Sequence, residues 1–188
     1  MSNNILFSVM CCCEAQDLFT LSFVCEETRS IFTSRAFWKA RFTLLGIQHK
    51  EPSLSVYVRC LKIEKKILNN DWPQFIFYKD LNLDLLAEMN TSSALEFRET
   101  QEKKERLLSK LEQAQEVDDF TTAFNCQMDL QSLFNHYLVV QKKKDKYTVF
   151  KQREKYNDIG NEITKVYLLQ DVNKIETLNV LLRLYKES

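Results

Sequence analysis

Glycine and proline are nearly missing from this chain. Gly46, Gly160, Pro52 and Pro73 are all that its 188 residues contain. Tight turns between strands draw heavily on both residue types. A β-rich fold is therefore disfavoured, whereas helices joined through Asn, Asp, Ser and Thr caps need neither. A Gly-rich phosphate loop and a Gly-x-Ser-x-Gly nucleophile elbow are both absent, which removes the commonest nucleotide-binding and hydrolase signatures. Excess charge of one sign is missing too. The 26 basic and 26 acidic residues give a formal net charge of +0, so nothing global draws in nucleic acid or an anionic membrane. No apolar run reaches the ~18 residues of a membrane span, and Met1-Ser2-Asn3-Asn4 lacks the basic start of a secretory signal. The expected location is cytoplasmic or nuclear, in a host cell or in a particle assembled there.

Ligands for a metal are also scarce. Histidine is limited to His49 and His136, and the cysteines stand at 11, 12, 13, 25, 60 and 126 with no Cys-x-x-Cys spacing. Zinc needs about four convergent N or S ligands, and three adjacent cysteines are no disulfide framework. Reduced thiols, no metal and no cofactor are expected. His136 follows Asn135 with no Cys or Ser that the sequence places beside it. No catalytic residue is assigned, no small-molecule substrate is expected, and the chain is read as not an enzyme.

What is present is helical spacing. Ile5, Leu6, Val9, Met10 and Cys13 share one face of a first helix. Asp17 suits the N-cap of a second, in which Leu18, Leu21, Val24, Cys25, Thr28, Ile31 and Phe32 recur at three- and four-residue steps. Ser34 can cap a third helix carrying Phe37, Trp38 and Phe42, and Gly46 can end it in a left-handed turn. Pro52 suits the first turn of a helix running to about Asn69. The aromatic stretch Trp72-Pro73-Gln74-Phe75-Ile76-Phe77-Tyr78 reads as an extended connector laid against the core, the preferred reading, or as an exposed docking segment, and Asp80 as the cap of a short helix to about Glu88. Ser93 and Glu96 have capping-box spacing ahead of a long helix to Glu116, with Leu107, Leu111 and Ala114 as its apolar seam. After Val117–Asp119, a second helix with Phe120, Ala123, Phe124, Leu130, Phe134 and Tyr137 completes an antiparallel hairpin, in which Phe120, Ala123 and Phe124 face that seam. Helices are expected again over Ile159–Leu169 and Asp171–Tyr185. The basic run Lys142-Lys143-Lys144-Asp145-Lys146, with Lys151, Arg153 and Lys155, makes no single stripe at about 100° per residue. It reads as a solvated helix rather than a nucleic-acid site, despite the interleaved Tyr147, Phe150 and Tyr156.

Residues 5–42 resemble an F-box. The matching elements are Ile5-Leu6, Val9-Met10, Asp17-Leu18, Leu21-Ser22-Phe23-Val24-Cys25 and Phe37-Trp38, in the family's order and spacing. Asn3-Asn4 stands where the family usually has Leu-Pro, and Cys12-Cys13-Glu14-Ala15 replaces its usual first loop. The resemblance implies a three-helix module that docks on the adaptor subunit of a cullin-RING ubiquitin ligase. It implies partner-binding roles for Ile5, Leu6, Val9, Asp17, Leu18, Leu21 and Phe23, and a motif core of Val24, Cys25, Phe37 and Trp38. A weaker likeness lies at about 104–134. Leu111-Glu112-Gln113-Ala114 and Asp119-Phe120-Thr121-Thr122-Ala123-Phe124 resemble a UVR hairpin, although Gln127-Met128-Asp129 lacks the family's Arg.

These readings combine into an all-α chain: an F-box-like helical unit (1–46), a helical connector with the aromatic segment (47–90), and a helical bundle with the long hairpin and C-terminal helices (91–188). The expected function is a protein-interaction adaptor that meets a ligase adaptor subunit with its first unit and a partner with its C-terminal helices. The alternative is a helical structural or scaffold protein of a larger assembly, such as a component of a large DNA virus particle. The composition, rich in Lys, Asn, Ile and Phe, suits an AT-rich genome.

Overall fold

A computed structural model describes residues 3–89, 91–133, 135–157 and 160–186. The chain divides into two compact units, Met1–Lys66 and Ile67–Ser188.

In the first unit, α1 (Asn3–Cys12), α2 (Ala15–Leu21), α3 (Glu26–Thr33) and α4 (Arg35–Leu45) follow one another through short turns, and α5 (Leu54–Ile63) comes after the longer segment 46–53. Their ends are set by local hydrogen bonds. The Ser34 hydroxyl accepts from the Phe37 amide and so caps α4, and Gly46, at φ 69°, ends it in the left-handed region. The Ser53 hydroxyl accepts from the Val56 amide at the start of α5. Cys25 caps α3: its amide donates to the Thr28 hydroxyl, which donates back to the Cys25 carbonyl. Met10, Leu18, Phe37 and Phe42 are essentially inaccessible to water and form the centre of the core. Aromatic rings stack along it edge to face, Phe7 on Phe37 at 5.9 Å and Phe32 and Phe37 on Trp38 at 5.2 and 5.0 Å. Each such pair adds about 0.5–1.5 kcal/mol to the area it buries.

The second unit overturns the all-α expectation. It is α+β, with a four-stranded antiparallel sheet in the order β1-β2-β3-β4. The strands are β1 (Gln74–Phe77), β2 (Asn135–Lys143), β3 (Lys146–Asn157) and β4 (Gly160–Val172), accompanied by α6 (Leu83–Met89), α7 (Thr91–Glu116), α8 (Phe120–Ser132) and α9 (Lys174–Leu184). The region expected as a helix over Ile159–Leu169 lies in β4 apart from Ile159, which is outside the described residues. The basic run expected as a solvated helix is the β2–β3 hairpin, with Lys143 paired to Lys146 across the turn. Lys144, at φ 55°, supplies the left-handed turn conformation for which glycine is usually recruited. A register shift in β3–β4 pairing accompanies Asp171 at φ 52°. Two of the sheet's left-handed positions are thus held by charged residues, and glycine is used once, at Gly160 (φ 140°) where β4 begins.

Alternation accounts for the core of this unit. Ile76, Leu138, Val140 and Val149 lie on one sheet face and are buried, as are Leu178, Leu181 and Leu182 of α9, which packs on β3 and β4. Lys151 shares that face and is buried, and desolvation pushes its ammonium pKa down. On the opposite face Phe75 and Phe77 of β1 meet Tyr137 edge to face at 5.8 and 5.7 Å. The aromatic segment is therefore only partly core: Ile76 is buried, Phe75 and Phe77 are half exposed, and Trp72 is exposed.

α7 and α8 form the antiparallel hairpin, turning through Val117–Asp119. Asp118, at φ 56°, makes the reversal, and the Asp119 carboxylate caps α8 by accepting from the Thr122 amide. α7 begins at Thr91, ahead of the expected Ser93 cap, whose side chain and that of Glu96 lie outside the described residues. α8 stops at Ser132, so Tyr137 is strand, and Phe134 is outside the described residues. Phe120 and Phe124 do not face the seam of Leu107 and Ala114; both are exposed. The inward side of α8 is instead carried by Cys126, with Ala123 and Leu130 half-buried near it.

Candidate functional site

The first unit holds the residues singled out from the sequence. α1 turns Phe7, Met10 and Cys11 inward and leaves Ile5 and Val9, one helical turn apart, at 54% and 47% exposure. Leu6 is half-buried. Cys13, expected on the apolar face, sits just past the helix and its thiol donates to the Val9 carbonyl.

The C-terminal end of α1 is tied down by Arg41. Its guanidinium is almost fully buried and donates to the carbonyls of Met10 (3.2 Å), Cys11 (2.9 Å) and Cys13 (2.8 Å). It also donates to the Tyr57 hydroxyl at 2.8 Å and lies 5.0 Å from the centre of that ring. The last carbonyls of a helix have no partners within it and carry its negative dipole end, so a cation there is stabilising. One planar fork of donors thereby locks α1, α4 and α5 together. Burial pushes the neighbouring Cys11 thiol pKa up, against an opposing pull from Arg41. Sequence reading missed Arg41 and Tyr57. The available signal was the apolar face Phe37, Trp38, Phe42, into which Arg41 falls at the same helical spacing.

α2 and the turn after it depart from expectation. Asp17 lies inside α2, whose N-cap position is Glu14, and the single helix expected from Asp17 through Phe32 is broken at Ser22–Cys25 into α2 and α3. Leu18, expected at the partner surface, is fully buried, because the short α2 directs it into the core and leaves Asp17 exposed and Leu21 half-buried. Val24 and Cys25, expected in the motif core, are exposed. The reason is the turn itself. Ser22 is buried and its hydroxyl donates to the Phe19 carbonyl, which brings the chain out of α2 with Phe23 and Val24 pointing to water at 75% and 67% exposure. Phe37 and Trp38 lie in the core.

The arrangement suits protein contact: aliphatic and aromatic groups are held out from a rigid aromatic core. Among the described residues there is no cluster of His, Cys, Asp and Glu able to hold a metal ion, and no helix is long and apolar enough to cross a membrane. No curated protein and no solved structure matches the chain. Residues 1–40 do match the family model of the F-box domain, and that match supports a protein-interaction adaptor role in ubiquitin ligase complexes.

Proposed function

We propose that the first unit docks on the adaptor subunit of a cullin-RING ubiquitin ligase and that the second unit brings a protein partner to it. The observation that carries this reading is the exposure of Ile5, Val9 and Phe23 beside a locked helical core. Large apolar groups held in water on a rigid frame are the usual anchors of a protein contact. Burying one aliphatic or aromatic anchor contributes about 1.5–3 kcal/mol. Leu6, Asp17 and Leu21 border these anchors in the proposed contact, and Leu18 supports them from within.

The test is co-precipitation of the full chain with the ligase adaptor subunit. Val9→Asp puts a charge into the proposed apolar contact, at a cost of several kcal/mol if the carboxylate stays ionised there. Because Val9 is half exposed, the melting temperature should stay within a few degrees while capture is lost. Equal capture of wild type and Val9→Asp would move the docking face elsewhere on the unit. No capture of wild type would refute the ligase-adaptor reading.

A further inference from the structure

The free end of the α7–α8 hairpin carries large apolar side chains that stay exposed among the described residues. Phe120, Phe124 and Met128 recur every four residues along α8 at 79%, 62% and 51% exposure, and Val117 in the turn is at 73%. At 100° per residue they fall on one side of the helix, away from the buried Cys126. In the turn and along α8 the charge has one sign, and the nearest basic residue back along α7 is the exposed Lys110. From Leu111 to Leu133 the chain has Glu112, Glu116, Asp118, Asp119 and Asp129, all exposed, and no Lys, Arg or His. This stands out in a chain whose formal net charge is +0.

We infer that the α8 stripe Phe120–Phe124–Met128, with its acidic surround, is a docking surface for a cationic amphipathic helix of a partner protein. The sign of the charge selects the occupant. Nucleic acid and anionic lipid surfaces would meet like charge, as would the same face of a second copy of this chain. A helix that offers aliphatic side chains at three- and four-residue steps, flanked by Lys or Arg, satisfies both the stripe and its surround. The flexible Met128 thioether can adapt to the side chains it meets. The inference rests on the second unit being the partner-recruiting one and names the surface by which it recruits. It does not depend on ligase docking, so its test contains no ligase component.

The test is fluorescence anisotropy on the full chain with two labelled peptides of about 18 residues, about five helical turns. Both have the same leucine face; one carries lysine on its polar face and the other glutamate. The lysine peptide should bind and the glutamate peptide should not. Phe120→Ser with Phe124→Ser keeps every acid but removes the anchors, and should weaken binding roughly tenfold or more. Asp118→Asn with Glu116→Gln should weaken it and flatten its dependence on salt. Both variants alter exposed side chains, and an unchanged denaturant melt will verify that they fold. The inference is overturned if both peptides bind alike, since charge would then not be read, or if the Ser variant binds as wild type does, since the chain would then read charge alone. It is equally overturned if sedimentation shows a wild-type dimer that the Ser variant dissolves, since a second copy would then be the occupant.

Discussion

Replacing Arg41 with alanine tests how the first unit is held together. The side chain makes four hydrogen bonds, to the carbonyls of Met10, Cys11 and Cys13 and to the Tyr57 hydroxyl. Each buried acceptor left without a donor costs about 1–3 kcal/mol. The carbonyls lie at a helix end, where a shift of the last turn can let water in, so the full sum will not be realised. A loss of about 3–5 kcal/mol is expected, from four acceptors that are only partly rehydrated. For a unit of this size each kcal/mol moves the melting temperature by about 4–8 °C. Arg41→Lys keeps the cation but has no planar fork and cannot span the same acceptors, so it should lose about half as much. Arg35, exposed on the same helix, is the control, and Arg35→Ala should stay within about 0.5 kcal/mol. The assay is urea unfolding followed by tryptophan fluorescence in a Trp72→Phe background, which leaves the buried Trp38 as the reporter. A loss below about 1 kcal/mol for Arg41→Ala would refute the idea that this guanidinium organises α1, α4 and α5.

Two further outcomes follow from burial. Leu18→Asp should unfold the first unit rather than merely abolish binding, because it forces a carboxylate into a fully buried site at a cost of several kcal/mol; a cooperative melt near that of wild type would contradict the packing. Burial first and the charge of Glu64 next push the Cys60 thiol pKa up to about 12, above the about 8.5 of a free cysteine. A raised folded value favours the protonated thiol in the native state, so this contribution to stability is intact below the unfolded value and is lost as pH climbs towards about 12. Iodoacetamide at pH 8 with mass-spectrometric mapping should label the exposed Cys12 and Cys25 and spare Cys60 until the chain unfolds; early labelling of Cys60 would contradict its burial.

Sequence pattern revealed the first unit far better than the second, for physical reasons. The helices up to Leu45 have short-range end signals, and Ser34 and Gly46 act where they were read. The sheet was hidden in part because its β2–β3 turn uses Lys144 and its register shift Asp171 in left-handed conformations that glycine normally marks, leaving Gly160 as its one glycine. Counting glycines therefore underestimates strands whenever charged residues absorb the strain. β4 misled through spacing as well: Ile163, Val166, Tyr167 and Leu169 fall at helical intervals, yet their pairing is that of a strand. β3 conceals itself by burying Lys151 and Gln152 where alternation would place apolar groups. Within the candidate site Phe37 and Trp38 were legible as core because aromatic residues dominate it. Leu18 and Val24 were not, because periodicity tells which residues share a face but not how a tight turn such as Ser22–Val24 redirects the chain.

Docking on a ligase adaptor subunit should bury the exposed apolar groups of the first unit. Calorimetric titration of the purified adaptor subunit into the full chain tests it most directly. The expected result is one-to-one binding with a negative heat-capacity change, the mark of apolar surface leaving water, and its loss in Val9→Asp. Absence of binding by a folded wild-type chain, or binding that Val9→Asp and Phe23→Asp leave unchanged, would contradict it.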